Sequence, residues 1–275
     1  MSPEDIKKII QEKVVGIWEA RHTSSMHKYC HLPSGTLVDS VTTQLGILSK
    51  PHLFKWGIKI AIEWLLVDDR LERLKYPQWR DELMQGAMLA PTDHRDEHGQ
   101  VGTFSHSILE RYCNEFIDTG KRPESIMKFV DINKDDPRSI AAARAGEELM
   151  IKNNVIPIAS ELICGDPKYS AGQLDLLCLW KGTDLCLLDW KSSNNVSQDY
   201  ILQTVAYAKF WKFMTGINIK KIKIAHLSKE SNKYTVYNVK NIGKSYIAFK
   251  QICGVYKWRV DKKNILVKDI KRLKI

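Results

Sequence analysis

Two aspartates and a lysine stand close together in a part of the chain that is otherwise apolar. Asp175 follows Leu174 and precedes Leu176 and Leu177, Asp189 lies between Leu188 and Trp190, and Lys191 comes two positions later. Ionised carboxylates are rarely buried without a partner, so acids in such runs need an explanation. The runs from Gly172 to Trp180 and from Asp184 to Trp190 are separated by Lys-Gly-Thr. This predicts a β-hairpin with Gly182 in the left-handed position of a short loop. With Gly182 at the centre of the turn, Asp175 faces Asp189, Cys178 faces Cys186, and Lys191 shares the face of Asp189. Two opposed carboxylates repel each other and lose hydration, a conflict that a divalent cation removes. Hard oxygen ligands point to Mg²⁺ or Mn²⁺ rather than Zn²⁺.

Other residues could join them. A helix is expected from Phe104, with Phe104, Ile108, Leu109, Tyr112 and Phe116 as its apolar stripe and His106 at the flank. A flank histidine is placed to reach across a cleft, and Glu110, one turn on, could receive its other ring N–H. His94 and His98 read as loop residues between Pro91 and Phe104. The segment from Gln198 to Met214 predicts a helix apolar on nearly every side, with Gln203 and Tyr207 one turn apart. A glutamine in that setting needs hydrogen-bond partners, which a phosphate, a catalytic group or nearby backbone can supply.

Gly172-x-x-Asp175, then Asp189-x-Lys191, then Gln203-x-x-x-Tyr207 together resemble the motifs of the PD-(D/E)xK nuclease superfamily, in its RecB-type exonuclease branch. The wording Tyr169-x-Ala-Gly-x-x-Asp175 with Leu188-Asp-Trp-Lys-Ser-Ser193 is similar to that of phage-encoded nucleases and mitochondrial genome-maintenance exonucleases. The resembling core runs from about Gly102 to Tyr207. A weaker echo lies at Leu32-Pro33-Ser34 to Leu48, with residues 35 to 40 interposed. The resemblance implies an α/β, restriction-endonuclease-like core: a mixed central β-sheet flanked by helices. It implies catalytic roles for Asp175, Asp189, Lys191, Gln203 and Tyr207, and ligation of one or two divalent ions by Asp175, Asp189 and the main-chain carbonyl of Trp190. Gly102-Thr103-x-x-His106 resembles the helical histidine motif of that branch, where the histidine helps bind the metal. Relatives carry a glutamate at the place of Glu161, either as a ligand or as the partner of a basic side chain, and the ligand role is preferred. The activity implied is metal-dependent hydrolysis of DNA by an exonuclease with access to single strands. The alternative is a catalytically silent nucleic-acid-binding or recruitment protein on the same fold. Some relatives hold an iron-sulfur cluster through C-terminal cysteines; here only Cys253 lies beyond residue 186, so no cluster is expected.

These residues need a scaffold. A chain of 275 residues, 44% hydrophobic and 27% charged, can bury one sizeable core, and no linker composition divides it. The expectation is a single nuclease domain: a helical N-terminal elaboration over 1–90, the core over 91–260 and a basic tail over 261–275. The N-terminus resembles neither a secretory signal nor an Arg-rich transit peptide, and no window reaches membrane-spanning length, so a cytoplasmic location is expected. Six cysteines without C-x-x-C spacing read as buried thiols. The net charge of +10 is uneven: residues 212–275 carry 17 Lys and Arg against 3 acids. That balance suits a polyanionic partner or a solvated face. The interleaved Tyr234, Tyr237, Tyr246, Tyr256 and Trp258 would suit base stacking, or serve as core. Helices are expected from Pro3 to about Trp18, Pro51 to Val67, Pro77 to Leu89, Ser139 to Lys152 and Ile242 to Trp258. Strands are expected over Val155–Cys164, Ile219–Leu227 and Tyr234–Val239, with residues 22–50 less regular.

Overall fold

The computed structural model describes residues 2–23, 26–48, 50–193 and 195–261. Helix α1 (Pro3–Lys13) opens on a capping box, in which Ser2 Oγ accepts from the Asp5 N–H and the Asp5 carboxylate accepts from the Ser2 N–H. Two donors that the first turn leaves unpaired are thereby satisfied. The helix ends well before Trp18, which begins a strand instead. Strands β1 (Trp18–Thr23), β2 (Met26–His31) and β3 (Thr36–Asp39) form a small antiparallel sheet where an irregular segment was expected. Its signal is weak in sequence because among its described side chains only Trp18, Tyr29, Cys30 and Val38 are buried, while Arg21, His22 and His27 are exposed. The segment interposed at 35–40 makes the turn and β3. It ties this sheet to the core, since Ser170 Oγ donates to the Asp39 carbonyl and Ser40 bridges to Ala171.

After α2 (Val41–Leu45), capped by Ser40, come α3 (Pro51–Leu65), α4 (Arg70–Arg73) and α5 (Pro77–Thr119). Helix α5 runs for 43 residues through Pro91, so 91–103 is helical and His94 and His98 are helix residues, not loop residues. A proline inside a helix costs about 3 kcal/mol through its missing N–H and ring clash. Packing against α3 opposes that cost. A Cβ on Gly86 would meet the Trp64 ring at 2.3 Å, and one on Gly57 would touch Pro91 at 3.8 Å, so the two helices run antiparallel at close approach. Helices α1 to α5 thus precede the main sheet in the chain, with the three-stranded sheet between the first two of them.

A 3₁₀ turn (Ile126–Phe129) and α6 (Pro137–Lys152) lead into β4 (Ile156–Asp166), β5 (Ser170–Trp180) and β6 (Asp184–Lys191). Then follow α7 (Gln198–Thr215), β7 (Lys221–Leu227), β8 (Tyr234–Asn238) and α8 (Ile242–Val260). The fold is α/β: a five-stranded mixed sheet, β4-β5-β6-β7-β8, in which only β6 and β7 are parallel, flanked by helices. The crossover from β6 to β7 is α7, as a parallel pair requires. One apolar core packs α1, α2, α7 and α8 on one face of the sheet, with Leu174, Leu177, Leu187 and Ile222 contributed by strands. The other packs α5 and α6 against Leu176, Cys178, Cys186 and Leu188. Among the described residues no helix is long and apolar enough to cross a membrane. Nearly all of the expected basic tail, 262–275, lies outside the described residues.

A candidate metal centre where the hairpin strands part

The hairpin has the register the sequence predicts. Leu176 pairs with Leu188 and Cys178 with Cys186, and the loop turns through Lys181 and Gly182, both at positive φ (56° and 76°). Regular pairing stops at Leu176 and Leu188, and the next row holds Asp175 and Asp189. There the strand uses a side chain in place of backbone: Asp175 Oδ2 accepts from the Trp190 N–H at 2.7 Å. The same carboxylate oxygen stands 3.8 Å from His106 Nδ1 on α5. One acid therefore fixes the end of β6 and faces the helix above it.

Glu161 on β4 completes a row of three acids across adjacent strands, since the β4–β5 register places it opposite Asp175. Its backbone sits at φ 49°, a region that costs a residue with a side chain on the order of 1–3 kcal/mol and that persists only where surroundings enforce it. The enforcing contact is Gln173 Nε2, which donates to the Glu161 carbonyl at 3.0 Å. His106, Glu161 and Asp175 each offer a ligand atom, and these atoms all lie within 4.8 Å of one another, so the cluster could hold a metal ion. Glu110 lines the same cleft, yet among the described residues no hydrogen bond joins it to His106.

Asp189 is fully buried, and neither carboxylate oxygen receives a hydrogen bond of good geometry. Its compensation is an ion pair with Lys191, whose Nζ stands 2.7 Å from Oδ2. A buried anion with unused lone pairs is the feature that folding alone does not explain. Burial raises the Asp189 pKa to about 6, with Asp175 adding repulsion and Lys191 opposing it. Burial, then repulsion from Asp175, lifts Glu161 to about 8. Asp175 is raised as well, chiefly by burial. For Lys191, burial favours the neutral amine, but Asp189 and Asp175 outweigh it and its pKa is raised. Burial and the nearby Lys191 charge lower His106 to about 4, so its imidazole is neutral and able to ligate at neutral pH.

Above the acids lies a cleft of about 490 Å³, lined on one side by Gly102, Thr103, His106 and Glu110 of α5 and on the other by Lys191, Ser192, Ser193 and Tyr200. Gly102 has a direct part in this geometry: a Cβ there would stand 3.2 Å from Ser192 Oγ, so glycine lets the helix approach the end of β6. Gln203 and Tyr207 do not line the cleft. Tyr207 is buried with its ring against Gly172, and its hydroxyl accepts from Gln203 Nε2 at 3.1 Å. Its pKa is raised well above the usual phenol range, first by burial and in part by Asp189 and Asp175. The expected helix stripe holds for Ile108, Leu109 and Tyr112, whereas Phe104 is 44% exposed.

Three lining residues escaped sequence reasoning. Tyr200 lies under Lys191, with Nζ 5.0 Å from the ring centroid. Lys229, after β7, points its ammonium to the His98 carbonyl at 3.4 Å, and its pKa is lowered by burial and by Arg138. His98 itself reaches the cleft only because α5 is continuous. None of the interleaved aromatics beyond residue 230 lines the cleft; Tyr246 stacks on Phe249 in the core under α8, and Tyr237 and Trp258 are exposed.

No family model matches the chain, and neither does any curated protein. Among solved structures it is similar to a protein from Eubacterium rectale named "Putative exonuclease", at 14% identity and a TM-score of 0.37, covering 63% of this chain and 76% of that one. A likeness of that size carries no inference about this chain.

Proposed function

We propose that this protein is a metal-dependent deoxyribonuclease, an exonuclease that admits single-stranded DNA, with Mg²⁺ or Mn²⁺ as its cofactor. The observation that carries the reading is Asp189: a fully buried carboxylate with no good hydrogen bond, paired with Lys191 and adjoining the His106, Glu161 and Asp175 cluster. Burying the charge of Asp189 without a use would cost several kcal/mol. Asp175, Glu161 and His106 would hold one ion, with Asp189 and the Trp190 carbonyl contributing as the resembling family implies. A divalent ion there supplies Lewis acidity and compensates charge on a phosphate. An imidazole among the donors favours Mn²⁺ over Mg²⁺.

The chain's own residues divide the remaining work. Lys191, kept protonated by two acids, orients the attacking water and stabilises charge growing on the phosphate; with a raised pKa it is poorly suited to take a proton. Tyr200 holds the lysine from below and offers a ring to a base. Gln203 and Tyr207 act by position, with Tyr207 packed on Gly172 and so fixing the strand that carries Asp175. The test is digestion of end-labelled linear and circular DNA by wild type and by Asp189→Asn. The expectation is degradation of ends in Mg²⁺ or Mn²⁺, none in chelator, and none by the variant. Metal-independent cleavage, or full activity of Asp189→Asn, would refute the assignment.

A further inference from the structure

The antiparallel pair made by α3 and the first part of α5, with the connection between them, exposes more apolar side chains per residue than the rest of the chain. Of the 24 large hydrophobic side chains exposed among the described residues, 12 fall within residues 51–90. The pair has little core of its own, since among the described side chains between Pro51 and Ala90 only Leu83, Ala87 and Ala90 are buried. These three face α3, as do Gly86 and Pro91, which meet Trp64 and Gly57. In each helix the exposed residues Ile58, Met84 and Met88 follow by one position a residue on the facing side: Gly57, Leu83 and Ala87. One step is about 100° of rotation, and in two antiparallel right-handed helices that step turns both toward the same side of the pair. Phe54 and Ile62 extend the α3 row at i, i+4 spacing. Phe54, Ile58, Ile62, Met84 and Met88, between 47% and 76% exposed, therefore form one apolar face.

We infer that this face is the contact between two copies of this chain, joined about a two-fold axis with the two helix pairs stacked as a four-helix bundle. Three observations favour a second copy as the occupant. Residues 51–90 carry six basic and six acidic side chains, so this segment is neutral in a chain of net charge +10, and pairing it with itself meets no net repulsion. The five side chains expose on the order of 500 Å² of apolar surface, at the upper end of what a monomer leaves in one patch. With the polar residues around them, a self-paired face approaches the about 800 Å² per partner of a stable interface. Rows at i, i+4 spacing also interlock with rows of the same kind, and two methionines let the contact adjust. The proposal is independent of the nuclease reading.

Sedimentation of the full chain at micromolar concentration tests it. Wild type is expected at twice 31.7 kDa. Phe54→Glu and Met88→Glu should weaken association by about 30-fold or more, as loss of a central interface anchor does. Leu89→Glu, one position past Met88 and so turned away from the face, should leave the dimer intact. A second measurement does not depend on a charged variant folding. All six native cysteines are buried, so Ile58→Cys gives one accessible thiol that a short bismaleimide should link between copies, whereas Leu89→Cys should not be linked. A wild-type chain that stays at 31.7 kDa up to 100 µM overturns the proposal, whether or not the face then binds phosphatidylcholine vesicles. Equal cross-linking of the two cysteine variants overturns it too.

Discussion

The ring of Tyr207 rests on the backbone of Gly172, so closely that a Cβ at residue 172 would stand 2.6 Å from Cε1 and 2.8 Å from the hydroxyl oxygen. Both residues belong to separate sequence motifs, and the structure shows them to be one packing unit in which α7 clamps the strand bearing Asp175. Gly172→Ala must displace a buried aromatic ring, so it is expected to destabilise by about 2 kcal/mol, in the range of overpacked cores. Tyr207→Phe keeps the ring and loses only the Gln203 hydrogen bond, so it should cost about 1 kcal/mol. Urea unfolding of the two variants checks the order. If Gly172→Ala proves the milder change, the clamp is not what holds β5.

The metal-free acids give stability a particular dependence on pH. Asp189 at about 6 and Glu161 at about 8 both lie above their ordinary values, 3.8 and 4.5. Between those limits the folded chain keeps protons that the unfolded chain has released. The contribution is full below about pH 4 and is lost as pH rises through about 6 and then about 8. In chelator, the midpoint of thermal unfolding should therefore fall from pH 5 to pH 8.5. A cation favours the deprotonated acids, so the gain in midpoint from Mn²⁺ should grow across the same interval. Scanning at pH 5, 6.5 and 8.5 with and without Mn²⁺ measures both. Asp189→Asn/Glu161→Gln should flatten the two trends together, and a metal gain equal at all three pH values would count against these assignments.

What the sequence makes legible follows from how local each determinant is. The turn at Gly182 sets the register of β5 on β6, so the opposition of Asp175 and Asp189 can be counted from residues alone. The pairing of Lys191 with Asp189 follows from alternation on one strand. By contrast, the continuity of α5 through Pro91 depends on α3, more than 25 positions earlier in the chain, because Trp64 and Gly57 stabilise it there. His98 therefore could not be placed at the cleft. The strained backbone of Glu161 depends on Gln173 of the neighbouring strand, and no local signal announces a positive φ at glutamate. Lys229 and Tyr200 reach the cleft from two other elements, and a lone lysine or tyrosine has no pattern to mark it.

Lys191 Nζ stands 2.7 Å from Asp189 Oδ2 and is the counter-charge of that buried acid. Lys191→Ala leaves a fully buried acid without its counter-charge, which costs about 3 kcal/mol when a buried pair is broken. Protonation of Asp189 limits the loss, so its pKa should move above the value of about 6 that it has beside the lysine. The double variant Asp189→Asn/Lys191→Ala removes both charges and should recover most of that stability. Nuclease activity should fall at least 100-fold in Lys191→Ala, in Asp189→Asn and in the double variant, because the charge on the phosphate then lacks its cation or its metal ligand. A double-mutant cycle by chemical unfolding gives the coupling. Additive losses would mean that the 2.7 Å contact is not an interaction that matters to folding.

Gly102 controls how near α5 comes to the end of β6, and so how near His106 stands to Asp175. A Cβ at 102 would approach Ser192 Oγ to 3.2 Å, which the serine can accommodate by a small shift. Gly102→Ala is therefore expected to be nearly neutral for stability, with the helix gaining up to about 1 kcal/mol from the better helix former. Gly102→Val adds bulk that the serine cannot avoid and should move the helix away. The His106 to Asp175 separation, now 3.8 Å, would then widen, and Mn²⁺ affinity should drop about 10-fold while thermal stability changes little. Ser192→Gly removes the obstructing hydroxymethyl group and should restore metal affinity in the Gly102→Val background. Calorimetric Mn²⁺ titration of the four proteins decides the matter. Unchanged affinity in Gly102→Val would show that the cation is held without His106, and loss without rescue by Ser192→Gly would place the obstruction elsewhere on the helix.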